Sequence, residues 1–124
     1  GVTGFTSDNR DVEAGSKEGN ERCKLVEDML CHQLTKYVGA YAAAMGGVDA
    51  IVFTGGIGEN NTSYRERVAG KLGFMGVEMD KEANSIAKLG KEMDVATASS
   101  KVRVLIIPTN EELMIAKDTY ELCK

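Results

Sequence analysis

The chain has 124 residues, 43% hydrophobic and 27% charged, the composition of a soluble globular domain rather than a disordered or membrane-embedded chain. Its net charge of -4 comes without a basic stripe or basic-aromatic interleaving, which argues against nucleic acid as a partner. No apolar run approaches the roughly 20 residues of a transmembrane helix and no signal-peptide layout is present, so no membrane partner is expected and the cytoplasm is the expected compartment.

The chain opens at Gly1 without an initiator Met, which fits processing or a segment of a longer protein. Residues 1–19 are polar and turn-rich, and Asp8, with Asp11 three residues on, predicts a short helix from Asn9 to Ser16. From Asn20 to Met45 the residues Val26, Leu30, Leu34, Val38, Tyr41 and Met45 recur at helical spacing and predict one long helix with a single apolar stripe, ended by Gly46 and Gly47. Its second half, GAYAAAMGG, is built of small residues that let another backbone pack closely. His32, the one histidine, lies on this helix, and Asp28 one turn earlier offers it an ordinary surface pairing, with no nucleophile at a helpful spacing. Cys23, Cys31 and Cys123 are odd in number and lack CxxC spacing, which fits reduced thiols better than disulfides or zinc.

Two short β-branched runs follow, AIVF at 50–53 and VRVLII at 102–107. Apolar runs without clean alternation predict parallel strands covered on both faces. After the first, Ser63 and Glu66 form a capping-box pattern for a helix ending near Gly73; after the second, Thr109 and Glu112 form another for a helix to about Leu122. Asp80 predicts a short helix over 81–88, and the connection to about Ser100 has room for one small edge strand. The order is α/β in class: a small, mainly parallel sheet flanked by helices. Parallel strands put both carboxyl ends at one edge, where open α/β sheets bind ligands.

Two motifs leave that edge. In TGGIGEN (54–60), Gly55, Gly56 and Gly58 let backbone N–H groups approach a ligand directly, although the same glycines also suit a tight strand-to-helix turn. The motif is neither a P-loop nor the dinucleotide fingerprint, since no lysine follows and Asn61 stands where the last glycine belongs. In PTNEE (108–112), the capping box assigns Glu112 to the Thr109 backbone and leaves Glu111 free, either to favour the helix dipole or to hold a hydrated Mg2+.

SDNRD (7–11), DAIVFTGGIGEN (49–60) and IPTNEELMIAKDT (107–119), in this order and spacing, closely resemble the carboxyl-terminal part of acetate kinase, and the likeness covers essentially the whole chain. The resemblance implies a single partial domain over 1–124 with the actin-like ATPase fold, the superfamily of sugar kinases and actin. It implies phosphoryl transfer between ATP and acetate to give acetyl phosphate and ADP, with Mg2+ as cofactor and a homodimer as the assembly. By motif, Asp8, Asn9 and Arg10 would border the adenine on one side and Gly56, Ile57 and Asn60 on the other; Glu111 matches the glutamate used near Mg2+. Gly58 would shape the turn more than touch ligand. Asn9 departs from the apolar residue usual there, and Lys117 from a common arginine. The family's transition-state arginines and histidine and its acetate pocket are expected outside these residues, so no catalytic residue is assigned. A propionate or butyrate kinase part, or a non-catalytic adenine-nucleotide module, are the alternatives.

Overall fold

The computed structural model describes residues 1–87 and 90–124. Helix α1 (Asn9–Lys17) starts as expected at Asp8, whose carboxylate accepts from the Arg10 backbone at 2.8 Å. It lies against helix α2 (Glu21–Met45). The approach is close because Gly15 lacks a side chain: a Cβ there would sit 2.7 Å from Cys23 Sγ. Asn20 caps α2 through the Arg22 and Cys23 backbone N–H groups, and Gly46, at φ +74°, ends it in the left-handed conformation that glycine adopts without strain.

The apolar stripe of α2 is used only in part. Leu30, Leu34 and Val38 pack against the core, whereas Tyr41 and Met45 are exposed, and Tyr41 stacks on Tyr37 instead. The periodicity is sound, but the helix outruns the elements that could cover its last turns.

Strands β1 (Ala50–Phe53), β2 (Met93–Asp94) and β3 (Arg103–Ile106) form one sheet in the order β1-β3-β2. β1 and β3 are parallel with Ile51 opposite Val104 and Phe53 opposite Ile106. β2, the small edge strand, runs antiparallel to β3. One sheet face builds the core: Ile51, Val104 and Ile106 pack with Val68, Leu72 and Val95. The expectation that the strands are covered on both faces is not met, since Val52 is 47% exposed. The terminal helix α6 (Glu111–Leu122) buries no residue, leaving Leu113, Met114 and Ile115 in solvent. β1 is also an open sheet edge.

The remaining helices shift relative to the sequence reading. A six-residue helix α3 (Gly55–Asn60) follows β1 directly, and α4 (Thr62–Ala69) is capped by Asn61, which accepts from the Tyr64 backbone at 2.8 Å. The Ser63–Glu66 box therefore does not form, and Glu66 pairs with Lys81 at 2.6 Å. A 3-10 turn, Gly73–Met75, ends in Gly76 at φ +87°. Asp80 caps α5 (Lys81–Ile86) as expected; the expected end at residue 88 lies outside the described residues.

A bare edge strand beside exposed apolar side chains favours pairing with another chain. The isolated 124-residue chain is expected to show concentration-dependent self-association in sedimentation velocity. A monomer at every concentration, with a cooperative melt at high temperature, contradicts this.

Candidate functional site

The two motifs leave the sheet side by side. Phe53 and Ile106 are register partners, and the Ile107 backbone N–H donates to Phe53 O at 3.0 Å, so both chains exit at one edge. Gly55, at φ +69°, then turns the chain into α3. One turn along, the Glu59 carboxylate reaches across: its Oε1 accepts from Thr109 N at 2.9 Å and lies 3.2 Å from Thr109 Oγ1. Gly56 and Glu111 therefore stand on the same rim, joined by a side chain that sequence reasoning did not single out.

That bridge also corrects the capping assignment. The Thr109 N–H is engaged by Glu59, so Glu112 does not reach back to it; Asn110 caps α6 through Leu113 N at 3.2 Å. Glu111 becomes the first residue of α6, exposed to solvent. Its carboxylate remains free for a ligand by a different local route from the one expected.

α3 has its glycines for two reasons. A Cβ on Gly58 would meet the Phe53 carbonyl carbon at 3.1 Å and its Cα at 3.4 Å, so Gly58 lets the helix fold back onto β1. A Cβ on Gly56 would meet nothing within 4 Å. Gly56 thus presents bare backbone to open space, where a flat ligand could lie against the chain.

Beneath α3 is Arg65 of α4, 1% exposed. Its Nη1 donates to the carbonyls of Gly58 and Glu59 at 2.8 and 2.9 Å, two acceptors at the end of α3. Its Nε donates to Asn84 Oδ1 at 2.7 Å and Nη2 to Asn84 O at 3.3 Å. Burial pulls the guanidinium pKa below its ordinary value, but an arginine starts so high that it stays charged. This hub fixes α3 in place and joins it to α5. The sequence carried a faint sign of it, since Arg65 shares a helix face with Val68 and Ala69, both buried.

The expected adenine-side residues are only partly drawn together. Asn60 lines a polar cleft of about 420 Å³ between α1, α2 and α4, beside Glu13 and Asn61, and its Nδ2 donates to Gly56 O at 2.7 Å. Ile57 faces instead an apolar groove of about 300 Å³ between α2 and β1. Asp8 and Arg10 pair with each other at 2.6 Å on the surface of α1, which holds the Asp8 carboxyl down at about 2. Asn9 turns its amide inward, donating to Glu13 Oε1 at 2.7 Å, with its Oδ1 3.2 Å from the Tyr64 hydroxyl. His32 has no part in this region: Asp28, its expected partner, accepts instead from Arg67.

For a divalent cation the donor set is sparse. No group of three or more His, Cys, Asp or Glu side chains placed to hold a metal ion occurs among the described residues. A lone exposed carboxylate suits a hydrated Mg2+ that arrives with phosphate oxygens, and does not suit a resident ion held by protein alone. No helix of the described residues is long and apolar enough to cross a membrane.

The family model for the acetokinase family matches residues 1–117. The chain belongs to the acetokinase family. It is 56% identical over 124 residues to an acetate kinase of Treponema denticola, covering all of this chain and 31% of that protein. The crystal structure of Porphyromonas gingivalis acetate kinase superposes with a TM-score of 0.86 at 50% identity, over 99% of this chain and 31% of the other. A propionate kinase from Francisella tularensis superposes at 0.78 with 35% identity, over 94% and 29%. The expected actin-like ATPase architecture is therefore that of this acetokinase chain. The chain spans about three tenths of the length of the curated relatives it matches. That share supports a part of an acetokinase; it does not support the narrower expectation of a carboxyl-terminal portion.

Proposed function

We propose that this chain is the nucleotide-handling part, a single partial domain over 1–124, of a kinase that moves a phosphoryl group between ATP and acetate, giving acetyl phosphate and ADP. The observation that carries the proposal is the Glu59 bridge, which places the bare Gly56 backbone and the Glu111 carboxylate at one sheet edge. In the forward direction an acetate oxygen bonds to the γ-phosphorus as the bond from that phosphorus to the ADP oxygen breaks. Positioning and charge neutralisation carry such a transfer. Here Asp8, Asn9 and Arg10 at the start of α1 border the adenosine on one side and Gly56 and Asn60 of α3 on the other, with Ile57 seating α3 through the apolar groove behind it. Asn9 contributes by fixing α1 through its inward bonds, in place of an apolar contact with the base. Glu111 would hold Mg2+, which when bound would offset phosphate charge. The acetate pocket and the groups that neutralise the transferring phosphoryl belong to the rest of the enzyme.

The enzyme is cytoplasmic and homodimeric on this reading. The exposed side of residues 37–45 of α2, which carries Tyr37, Tyr41 and Met45 among small residues, is the face that receives a second copy. The second reading, a propionate kinase part, is favoured by the likeness to the Francisella tularensis protein; kcat/KM for acetate against propionate in the full-length enzyme decides between them. Purified full-length protein is expected to form acetyl phosphate from ATP and acetate, while the 124-residue chain alone stays at background. Calorimetric titration of the chain is expected to give heat with ATP and none with tripolyphosphate. Equal signals with the two would overturn the adenine site, and activity of the chain alone would overturn the division of labour.

A further inference from the structure

The contacts between α1 and the rest of the chain single out Glu13. α1 buries only one residue, Val12, and otherwise lies along α2. Its attachment to the corner between α3 and α4 is polar and centres on one carboxylate. Glu13 Oε1 accepts from Asn9 Nδ2 at 2.7 Å and from Asn61 Nδ2 at 2.6 Å. Asn61 is buried, and its other side-chain atom is occupied in capping α4. The Tyr64 hydroxyl, 3.2 Å from Asn9 Oδ1 and 3.4 Å from Glu27 Oε1, adds a second point of attachment on the same side. A carboxylate accepting two N–H groups at these lengths makes strong, directional bonds.

We propose that Glu13 is a positioning residue for the nucleotide: by clasping Asn9 and Asn61 together it sets the distance between the start of α1, with Asp8, Asn9 and Arg10, and the glycine helix, and so the width of the adenosine cleft. The inference rests on the nucleotide site proposed above. Glu13 does not touch ligand in this account. Without it α1 keeps its contact with α2 but can swing away from the α3–α4 corner. The binding cost then falls on adenosine alone, because the phosphates and acetate are held elsewhere.

The test is steady-state kinetics of the full-length kinase carrying Glu13→Ala, Glu13→Gln or Gly56→Ala, with melting temperature recorded for each. Glu13→Ala is expected to raise KM for ATP about 5- to 10-fold, leaving kcat within about twofold and KM for acetate unchanged. Glu13→Gln keeps a carbonyl oxygen in the same place and is expected to return KM for ATP to within about twofold of the parent. If Glu13→Ala does not fold, Glu13→Asp withdraws the acceptor by one methylene and is expected to give the same split. An unchanged KM for ATP in Glu13→Ala or Glu13→Asp, beside a raised one in Gly56→Ala, overturns the clasp and leaves the site standing. A fall in kcat with both KM values moving together, or failure of Gln to rescue, reduces Glu13 to fold support and overturns the proposal. No change in KM for ATP in any variant removes the site itself.

Discussion

Replacing Arg65 by methionine is expected to lower folding stability by about 3–5 kcal/mol, enough to unfold a marginal domain. The methionine fills much of the same space, so the loss comes from polar groups rather than from a cavity. Asn84 Oδ1 and the carbonyls of Gly58, Glu59 and Asn84 all lose their donor inside the protein, and each buried group left unpaired costs about 1–3 kcal/mol. Lysine is not expected to rescue, because a single ammonium cannot span acceptors that the planar guanidinium reaches on several sides. Urea unfolding of the full-length kinase reads the effect directly. A loss below about 1 kcal/mol, the range of an ordinary surface substitution, would show that α3 is not anchored by this hub.

The second large effect is a contrast between neighbouring glycines. Gly58→Ala puts a methyl carbon 3.1 Å from the Phe53 carbonyl carbon, and is expected to destabilise by about 1–3 kcal/mol. Gly56→Ala meets open space and no unfavourable φ, so stability should hold or rise by up to about 1 kcal/mol through the helix preference of alanine. Its cost appears in binding: the new methyl group occupies the space proposed for adenosine, and Kd for ATP is expected to rise about tenfold or more. Thermal melts and ATP titration of the two variants separate the effects. If Gly56→Ala binds ATP as the parent does, the ligand does not lie against that backbone.

Much of the frame was legible because it depends on local chemistry. Asp8 and Asp80 cap the helices that their positions announce, and AIVF and VRVLII pair in parallel as their β-branched content suggests. The errors arise where a distant group competes for a local one. Thr109 had a plausible partner in Glu112, but Glu59 arrives from another element and takes its N–H. Ser63 had Glu66, but α3 delivers Asn61 to the start of α4, and Lys81 draws Glu66 away. The same limit applies to burial. Tyr41, Met45 and Val52 sit at apolar positions of regular elements yet stay exposed, because coverage depends on surfaces that local pattern does not describe. The site was legible as two motifs at one edge; the side chains that lock them, Arg65, Glu59 and Glu13, look like ordinary surface charges until the fold brings their partners near.

Arg65 differs from Arg10, Arg67 and Arg103 in what it bonds. Arg10, Arg67 and Arg103 each face a carboxylate near the surface, and such attractions fade as ionic strength rises and the Debye length contracts to about 3 Å in molar salt. The acceptors of Arg65 are carbonyl and amide oxygens without net charge, enclosed where mobile ions do not reach. In concentrated brine the periphery therefore relaxes first, while the glycine helix keeps its seat.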